Sequence, residues 1–155
     1  MFIFKMKNHM LNQFIGFLIE IELTGKENRR RMKQVRKFTQ YMQNEYHQDR
    51  EEILNELVEK DEQGNFKTTN NIYVSADMPR LSKELRELDE EYYKEELTAI
   101  NIEEFEFLYK IVTNYDKPLS NEKAMMHDNF CEMLEIAIEP YREEFPHEII
   151  IGGDK

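Results

Sequence analysis

The chain has 155 residues, a length that suits one domain with a real core and is short for two. Hydrophobic residues make up 40% of it and charged residues 34%, a balance that excludes a disordered chain. The formal net charge is -11, and the single cysteine, Cys131, excludes an intramolecular disulfide framework and fits a reducing compartment.

The first predicted elements are two helices separated by a glycine. Apolar residues spaced by three and four predict a helix over residues 9–24, and we expect Met1 to Lys5 before it to be poorly ordered. Gly25 ends this helix because glycine takes a positive φ without strain. A second apolar series, from Met32 to Leu57, predicts one long helix over residues 27–62. The first helix is expected to fold back on it as an antiparallel hairpin.

A turn and a short β element follow the long helix. The cluster from Asp61 to Asn65 is rich in turn residues and ends the helix. The β-branched and aromatic residues of the segment 66–75 predict a short strand or hairpin. Asp77 before Pro79 then predicts a capped helix, since an aspartate accepts from free amides and proline suits the first turn.

Two more helices are predicted in the last third of the chain. Asn101 and Glu104 have the spacing of a capping box, and a helix to about Thr113 follows. Ser120 is expected to cap a final helix, which Pro140 should end because proline lacks the backbone N–H.

These elements predict a mainly α fold built on an antiparallel long-helix hairpin, with additional short helices and a small β element near residues 66–75. We expect a single helical domain over residues 1–140 and a C-terminal tail over residues 141–155, in which Ile149 to Ile151 are able to add a strand. The apolar stripe of the long helix is longer than one short helix covers, so we expect a homo-oligomer.

Seven cations crowd into twelve residues and give that segment a charge of +6, against -17 for residues 38–155. They are Lys26, Arg29, Arg30, Arg31, Lys33, Arg36 and Lys37. Such a cluster is able to bind phosphates, since each cation placed on a nucleic-acid backbone releases counterions. However, the cluster contains no interleaved aromatic residue to stack on bases, so nucleic acid is not favoured.

The alternative is that this basic cluster pairs with carboxylates, within the fold or across a homodimer. The candidates form an acidic face in a segment that we expect to be helical from Glu84 to Glu96; they are Glu84, Glu87, Asp89, Glu90 and Glu91. Dense carboxylates are also able to imitate the phosphates of DNA, which would suit an inhibitor of a cationic host enzyme. An acidic surface equally serves solubility.

The motifs that would indicate an enzyme or a metal site are incomplete. His127 and Cys131 lie one helical turn apart, but two ligands do not complete a metal site, and a thiol enzyme needs a third group. Glu51, Glu52 and Glu56 have the spacing of a magnesium carboxylate set, yet such pairs are expected by chance in so acidic a chain. We therefore predict no catalytic residue, no metal and no cofactor. The apolar run from Phe14 to Ile19 is too short to span a bilayer, so no membrane association is expected.

The order of these signals resembles a known family. The matching stretches are Leu23 to Arg29, the long charged helix, Lys60 to Gly64, Glu122 to Ala124 and His127 to Glu132. Together they resemble a family of small uncharacterised proteins from phages and prophages of Gram-positive bacteria, over most of residues 7–138. The resemblance implies a virion-related or accessory role, because members tend to be encoded among tail and lysis genes. It carries no catalytic residues to transfer.

The sequence therefore favours a non-enzymatic phage or prophage protein that binds other proteins, in tail assembly or as an accessory factor. It would act in the cytoplasm of the bacterial host or as part of the virion. Two alternatives stay open. One is an acidic inhibitor of a host defence system or nucleic-acid enzyme, and the other is a nucleic-acid binder that uses the 26–37 cluster.

Overall fold

Helices form most of the chain in this computed structural model, which describes residues 1–147. The elements in chain order are β1 (Ile3–Lys7), α1 (Asn8–Glu20), α2 (Gly25–Tyr41), a π-helical turn (Met42–Tyr46), α3 (His47–Leu57), β2 (Thr68–Thr69), β3 (Ile72–Tyr73), α4 (Met78–Glu90), β4 (Tyr92–Glu96), α5 (Ile102–Thr113) and α6 (Asn121–Glu144). The predicted mainly α class is confirmed, including the small β element near residues 66–75.

The predicted long helix is present, with a π-helical turn inside it. Tyr41 and His47, on either side of the turn, keep helical backbone angles, so α2 runs into α3 without a break. The helix ends at Leu57, earlier than predicted, because Val58 takes an extended conformation at φ -99° and ψ 135°.

The helices α1 and α2 form the predicted antiparallel hairpin. The Tyr41 hydroxyl donates to Asn8 Oδ1 at 2.7 Å, and the Phe14 and Phe38 ring centroids lie 5.9 Å apart. The start of α1 therefore meets the end of α2. The prediction that Gly25 ends the first helix is wrong, because α1 ends at Glu20 and Gly25, with φ +57°, is the first residue of α2.

A two-stranded sheet of β1 and β4 was not predicted. Backbone hydrogen bonds from Leu97 N to Phe2 O and from Asn8 N to Glu91 O lie at its two ends, so the strands are antiparallel. Phe4 and Met6 are fully buried, so the expectation of a poorly ordered start is wrong. The helical prediction to Glu96 is also wrong, because Glu91 is extended and the chain continues as β4.

The chain divides into two compact units. Of the described residues, the first contains Met1–Met6, Glu20–Arg31 and residues 94–147, and the second contains Lys7–Ile19 and Met32–Tyr93. In the first unit α5 packs against α6, and the ring centroids of Phe4 and Phe105 lie 5.0 Å apart.

In the second unit, α4 and the β2–β3 hairpin cover the end of the long helix. Leu54 and Val58 are buried with Leu81 of α4, and Phe66 and Tyr73 pack against this cluster. An uncovered apolar end was the reason for predicting a homo-oligomer. That reason fails within residues 1–147, because the chain itself covers α3.

Polar residues set the turns of this unit. Asp61 Oδ1 accepts hydrogen bonds from the backbone N–H groups of Gln63 and Asn65, both at 2.9 Å. Asn70 and Asn71 have positive φ values of 52° and 64°, the pattern of a two-residue hairpin turn that matches the strand twist. The predicted turn and hairpin are therefore confirmed.

Two of the three predicted helix caps are confirmed. Asp77 accepts from Arg80 N at 3.1 Å and Ser120 accepts from Lys123 N at 3.4 Å. The capping box at Asn101 is wrong. Its side-chain oxygen accepts instead from Thr98 N at 2.8 Å, which closes the loop before α5.

The predicted end of the last helix at Pro140 is wrong, because α6 continues to Glu144. Tyr141 is buried with its ring centroid 5.6 Å from that of Phe2, and Arg142 forms an ion pair with Glu106 at 2.6 Å. These contacts offset the one backbone hydrogen bond that a proline inside a helix removes. The predicted strand at Ile149 to Ile151 lies outside the described residues.

We expect Asn8→Ala to destabilise the protein by about 1–3 kcal/mol, because it leaves the Tyr41 hydroxyl and the Leu88 carbonyl without their partner. Urea denaturation measures the free energy of unfolding. The exposed Asn12 on the same helix is the control, and its alanine variant should change stability by no more than about 0.5 kcal/mol. Equal effects of the two substitutions would contradict the role of Asn8.

Candidate interaction surfaces

Three of the seven cations in the basic cluster serve the fold. Arg30 pairs with Glu104 at 3.1 Å and lies over the Phe107 ring, with its guanidinium carbon 4.3 Å from the centroid. Lys37 lies over the Phe38 ring, with its ammonium nitrogen 4.8 Å from the centroid. Both side chains are half-buried, so their charges are largely committed to these contacts.

Arg31 is the most buried of the seven, with only 6% of its surface exposed. Its guanidinium donates to the Ile21 carbonyl, which lies just past the end of α1, and to Asn28 Oδ1. A carbonyl at a helix end lacks an intrahelical donor, and Arg31 supplies one. Arg31 thus belongs to the α1–α2 connection and not to an accessible surface.

The other four cations are exposed and lie on one face of α2. They are Lys26, Arg29, Lys33 and Arg36, which we call the α2 basic face. Their spacing of three and four residues keeps them on one side of the helix over about 15 Å at 1.5 Å per residue. None of them forms an ion pair with a carboxylate of residues 1–147, so their charges are available for a partner.

Four members of the predicted acidic face have partners other than the basic cluster. Glu84 binds Arg80 at 2.6 Å and Glu87 lies 3.8 Å from Lys83, both one helical turn away on α4. Glu90 binds Lys7 at 3.0 Å, and this hydrogen bond lowers the pKa of Glu90 below its usual value.

Asp89, the fourth, accepts a hydrogen bond from the Tyr46 hydroxyl at 2.5 Å. Burial and this bond to a carboxylate raise the pKa of Tyr46 to about 12. The contact joins the π-helical turn to the last turn of α4, so Asp89 serves to position two helices in the second unit.

Carboxylates from α3 and α4 line a groove of about 320 Å³, which we call the acidic groove. Ile53 and Leu88 line it together with six carboxylates, which are Asp49, Glu52 and Glu56 of α3, Glu84 and Glu87 of α4, and Glu91 just after α4. Arg80 bridges Glu56 and Glu84 at 2.6 Å each. Asp49, Glu52 and Glu91 form no ion pair within residues 1–147, so the groove keeps an excess of negative charge.

The structure combines predicted and unpredicted residues in this groove. Glu84, Glu87 and Glu91 belong to the acidic face predicted from the sequence, whereas the α3 carboxylates were not linked to it. A usable signal existed, because Asp49, Glu52 and Glu56 recur at helical spacing. What the sequence did not provide was the packing of α3 on α4, which depends on the core around Leu54.

His127 and Cys131 do lie together, with Cys131 Sγ 3.9 Å from His127 Nε2. That same ring nitrogen is 2.7 Å from the Val112 carbonyl and is thereby engaged in holding α6 to α5. Burial raises the pKa of the Cys131 thiol, whereas a nucleophilic cysteine needs a lowered pKa. Within residues 1–147, no group of three or more histidine, cysteine or acidic residues is placed to hold a metal ion.

No protein-family model, curated protein or solved structure matches the chain. The resemblance to phage and prophage proteins therefore stays a prediction. Among the described residues, no helix combines the length and the apolar character needed to cross a bilayer.

We expect Asp89→Asn to lower the pKa of Tyr46 from about 12 toward the ordinary value of 10.0, with burial keeping it above that value. The readout is a pH titration of the tyrosine ring carbons by NMR, with Tyr46→Phe to assign the signal. Because the folded pKa is raised, the stabilisation that the Tyr46 hydroxyl provides is complete below pH 10 and declines as the pH rises toward 12. An unchanged Tyr46 pKa in Asp89→Asn would contradict the contact.

Proposed function

We propose that this protein is a non-enzymatic binding protein whose α2 basic face contacts an acidic surface of a protein partner. The observation that carries the proposal is that Lys26, Arg29, Lys33 and Arg36 are all exposed on one helix face and form no ion pair within residues 1–147. Four like charges on one helix face repel one another when alone. An acidic partner would relieve that repulsion and gain charge-assisted hydrogen bonds.

A protein partner is favoured over nucleic acid on two grounds. The first is that Phe38, the nearest aromatic residue on α2, is fully buried and is not available to stack on bases. The second is the charge of -17 carried by residues 38–155, which repels a phosphate backbone at low salt. A protein surface is able to present carboxylates to α2 alone.

The proposed setting is a phage or prophage of Gram-positive bacteria, with a role in tail assembly or as an accessory factor. This part of the proposal rests on the sequence resemblance. It places the protein in the cytoplasm of the bacterial host or in the virion.

The acidic groove supports a second candidate function, an inhibitor of a host defence system or nucleic-acid enzyme. Five carboxylates of α3 and α4, together with Glu91 just after α4, line one groove, and Asp49, Glu52 and Glu91 form no ion pair within residues 1–147. Such a surface is suited to a cationic protein that normally binds phosphates. In this case the partner would bind α3 and α4, and the α2 basic face would be dispensable.

We expect partner capture to be lost when Lys26, Arg29, Lys33 and Arg36 are all replaced by glutamine, which takes the formal net charge from -11 to -15. The matched control replaces four exposed cations elsewhere and gives the same net charge: Lys67, Arg86, Lys94 and Lys123. Each protein is immobilised and exposed to nuclease-treated lysate of a Gram-positive host, infected or not, and quantitative mass spectrometry compares the captured proteins. An acidic protein retained by the natural chain and the control, and reduced at least tenfold by the α2 variant, supports the proposal.

Two results would overturn it. Equal capture by the α2 variant and the control would exclude the α2 basic face. If that capture were then lost with Glu52→Gln, Glu87→Gln and Glu91→Gln combined, the acidic groove would be the contact surface. Capture that disappears with nuclease, together with α2-dependent binding of a DNA or RNA duplex at low salt, would instead indicate nucleic-acid binding.

A further inference from the structure

A polar cavity of about 300 Å³ opens beside the π-helical turn, within the second unit. Its walls come from α1, from the turn and the start of α3, and from the end of α4. Its polar and charged lining includes His9, Asn12, Gln13, His47, Arg50 and Asp89. None of these residues belongs to the α2 basic face or to the acidic groove.

The walls are held in place by hydrogen bonds that leave the cavity open. Asn8 is buried, and its side chain donates to the Leu88 carbonyl at 2.8 Å while it accepts from Tyr41. The bond from Tyr46 to Asp89 fixes the opposite side. The cavity is therefore framed by α1, the turn and α4 before any ligand arrives, which reduces the cost of ordering on binding.

The π-helical turn itself requires an explanation. Neither a proline nor a glycine occurs in Met42–Tyr46, so none of the usual backbone causes of a helix irregularity is present. π-Helical turns are rare and frequently occur at functional sites. Here the turn sets the positions of Tyr46, His47 and Arg50, which all line the cavity.

Four exposed polar side chains line this space. The side chains of His9, Asn12, Gln13 and His47 form no hydrogen bond within the described part of the chain. The Arg50 guanidinium is half-buried and forms no ion pair within residues 1–147; it lies 5.8 Å from the centroid of the Tyr73 ring. A partly desolvated cation gains most from an anion that it can bind with two parallel hydrogen bonds.

Carboxylates lie on the lining of the cavity and near it. Among the described residues, Asp89 is the one carboxylate that lines it, and one of its oxygens accepts from Tyr46. Glu45, Asp49 and Glu91 lie close enough to Tyr41 to raise its pKa. An anion is therefore expected to bind at the one arginine of the lining, away from these carboxylates.

We propose that this cavity binds a small anion through a phosphate or carboxylate group, with Arg50 as its charged contact. Asn12 and Gln13 on one wall and His9 and His47 at the rim supply hydrogen bonds. The volume suits a small molecule and not a macromolecule. The site is independent of the α2 basic face, so either proposal can fail without the other.

The test is an NMR titration of the full chain with inorganic phosphate and, separately, with sodium acetate, each at constant ionic strength. The side-chain amide signals of Asn12 and Gln13 report on the cavity. We expect saturable shifts of these signals with at least one of the two anions, and the anion that binds more tightly identifies the group. We expect Arg50→Gln to weaken the affinity for the anion at least tenfold.

Arg86→Gln removes an exposed arginine outside the cavity and should bind the anion as the natural chain does. Asn12→Asp places a negative charge on the opposite wall and should also weaken binding at least tenfold, which covers the case of a folding defect in Arg50→Gln. Absence of saturable shifts with both anions would overturn the proposal. So would equal affinity in Arg50→Gln and Arg86→Gln, or the same shifts on addition of sodium chloride alone.

Discussion

The buried amide of Asn8 is the contact on which the arrangement of the second unit depends. Its backbone N–H donates to the Glu91 carbonyl, its side chain donates to the Leu88 carbonyl, and it accepts from Tyr41. One residue thus fixes the start of α1 to the end of α4 and to α2. A buried amide tolerates little displacement, because each lost hydrogen bond leaves a polar group without water or a partner. The frame of the polar cavity and the hairpin of α1 with α2 both follow from it.

The charges of this protein divide into those that build the fold and those that remain available. Within the fold, Arg30 pairs with a carboxylate, Arg31 donates to a carbonyl at a helix end, and Lys37 lies over an aromatic ring. The α2 basic face has no such role within residues 1–147. On the acidic side, Glu90 and Asp89 are similarly occupied by Lys7 and Tyr46, while the acidic groove keeps an excess of carboxylates. Exposed ion pairs contribute little stability, so the fold does not require partners for these uncompensated groups.

Most of the fold was predictable because its signals are local. The apolar spacing of α2 and α3, the caps at Asp77 and Ser120 and the turn at Asp61 each depend on residues a few positions apart. The β1–β4 sheet was missed because its strands are separated by most of the second unit, and β4 is too charged to be recognised alone. The predicted helix end at Pro140 was wrong. The rule that proline ends a helix is local, and here the burial of Tyr141 outweighs it.

The sequence by itself determined the helical class, the concentration of cations in residues 26–37 and the acidity of the remainder, because composition and periodicity are properties of the chain. Tertiary structure alone decided which of those charges are available. Arg29 and Arg31 are two residues apart, yet the helix turns one toward solvent and the other into the α1–α2 connection. The tertiary structure also brings Glu52 and Glu87 to one groove, and His9 and Arg50 to one cavity. Such contacts depend on helix packing between residues far apart in the chain, which no local pattern encodes.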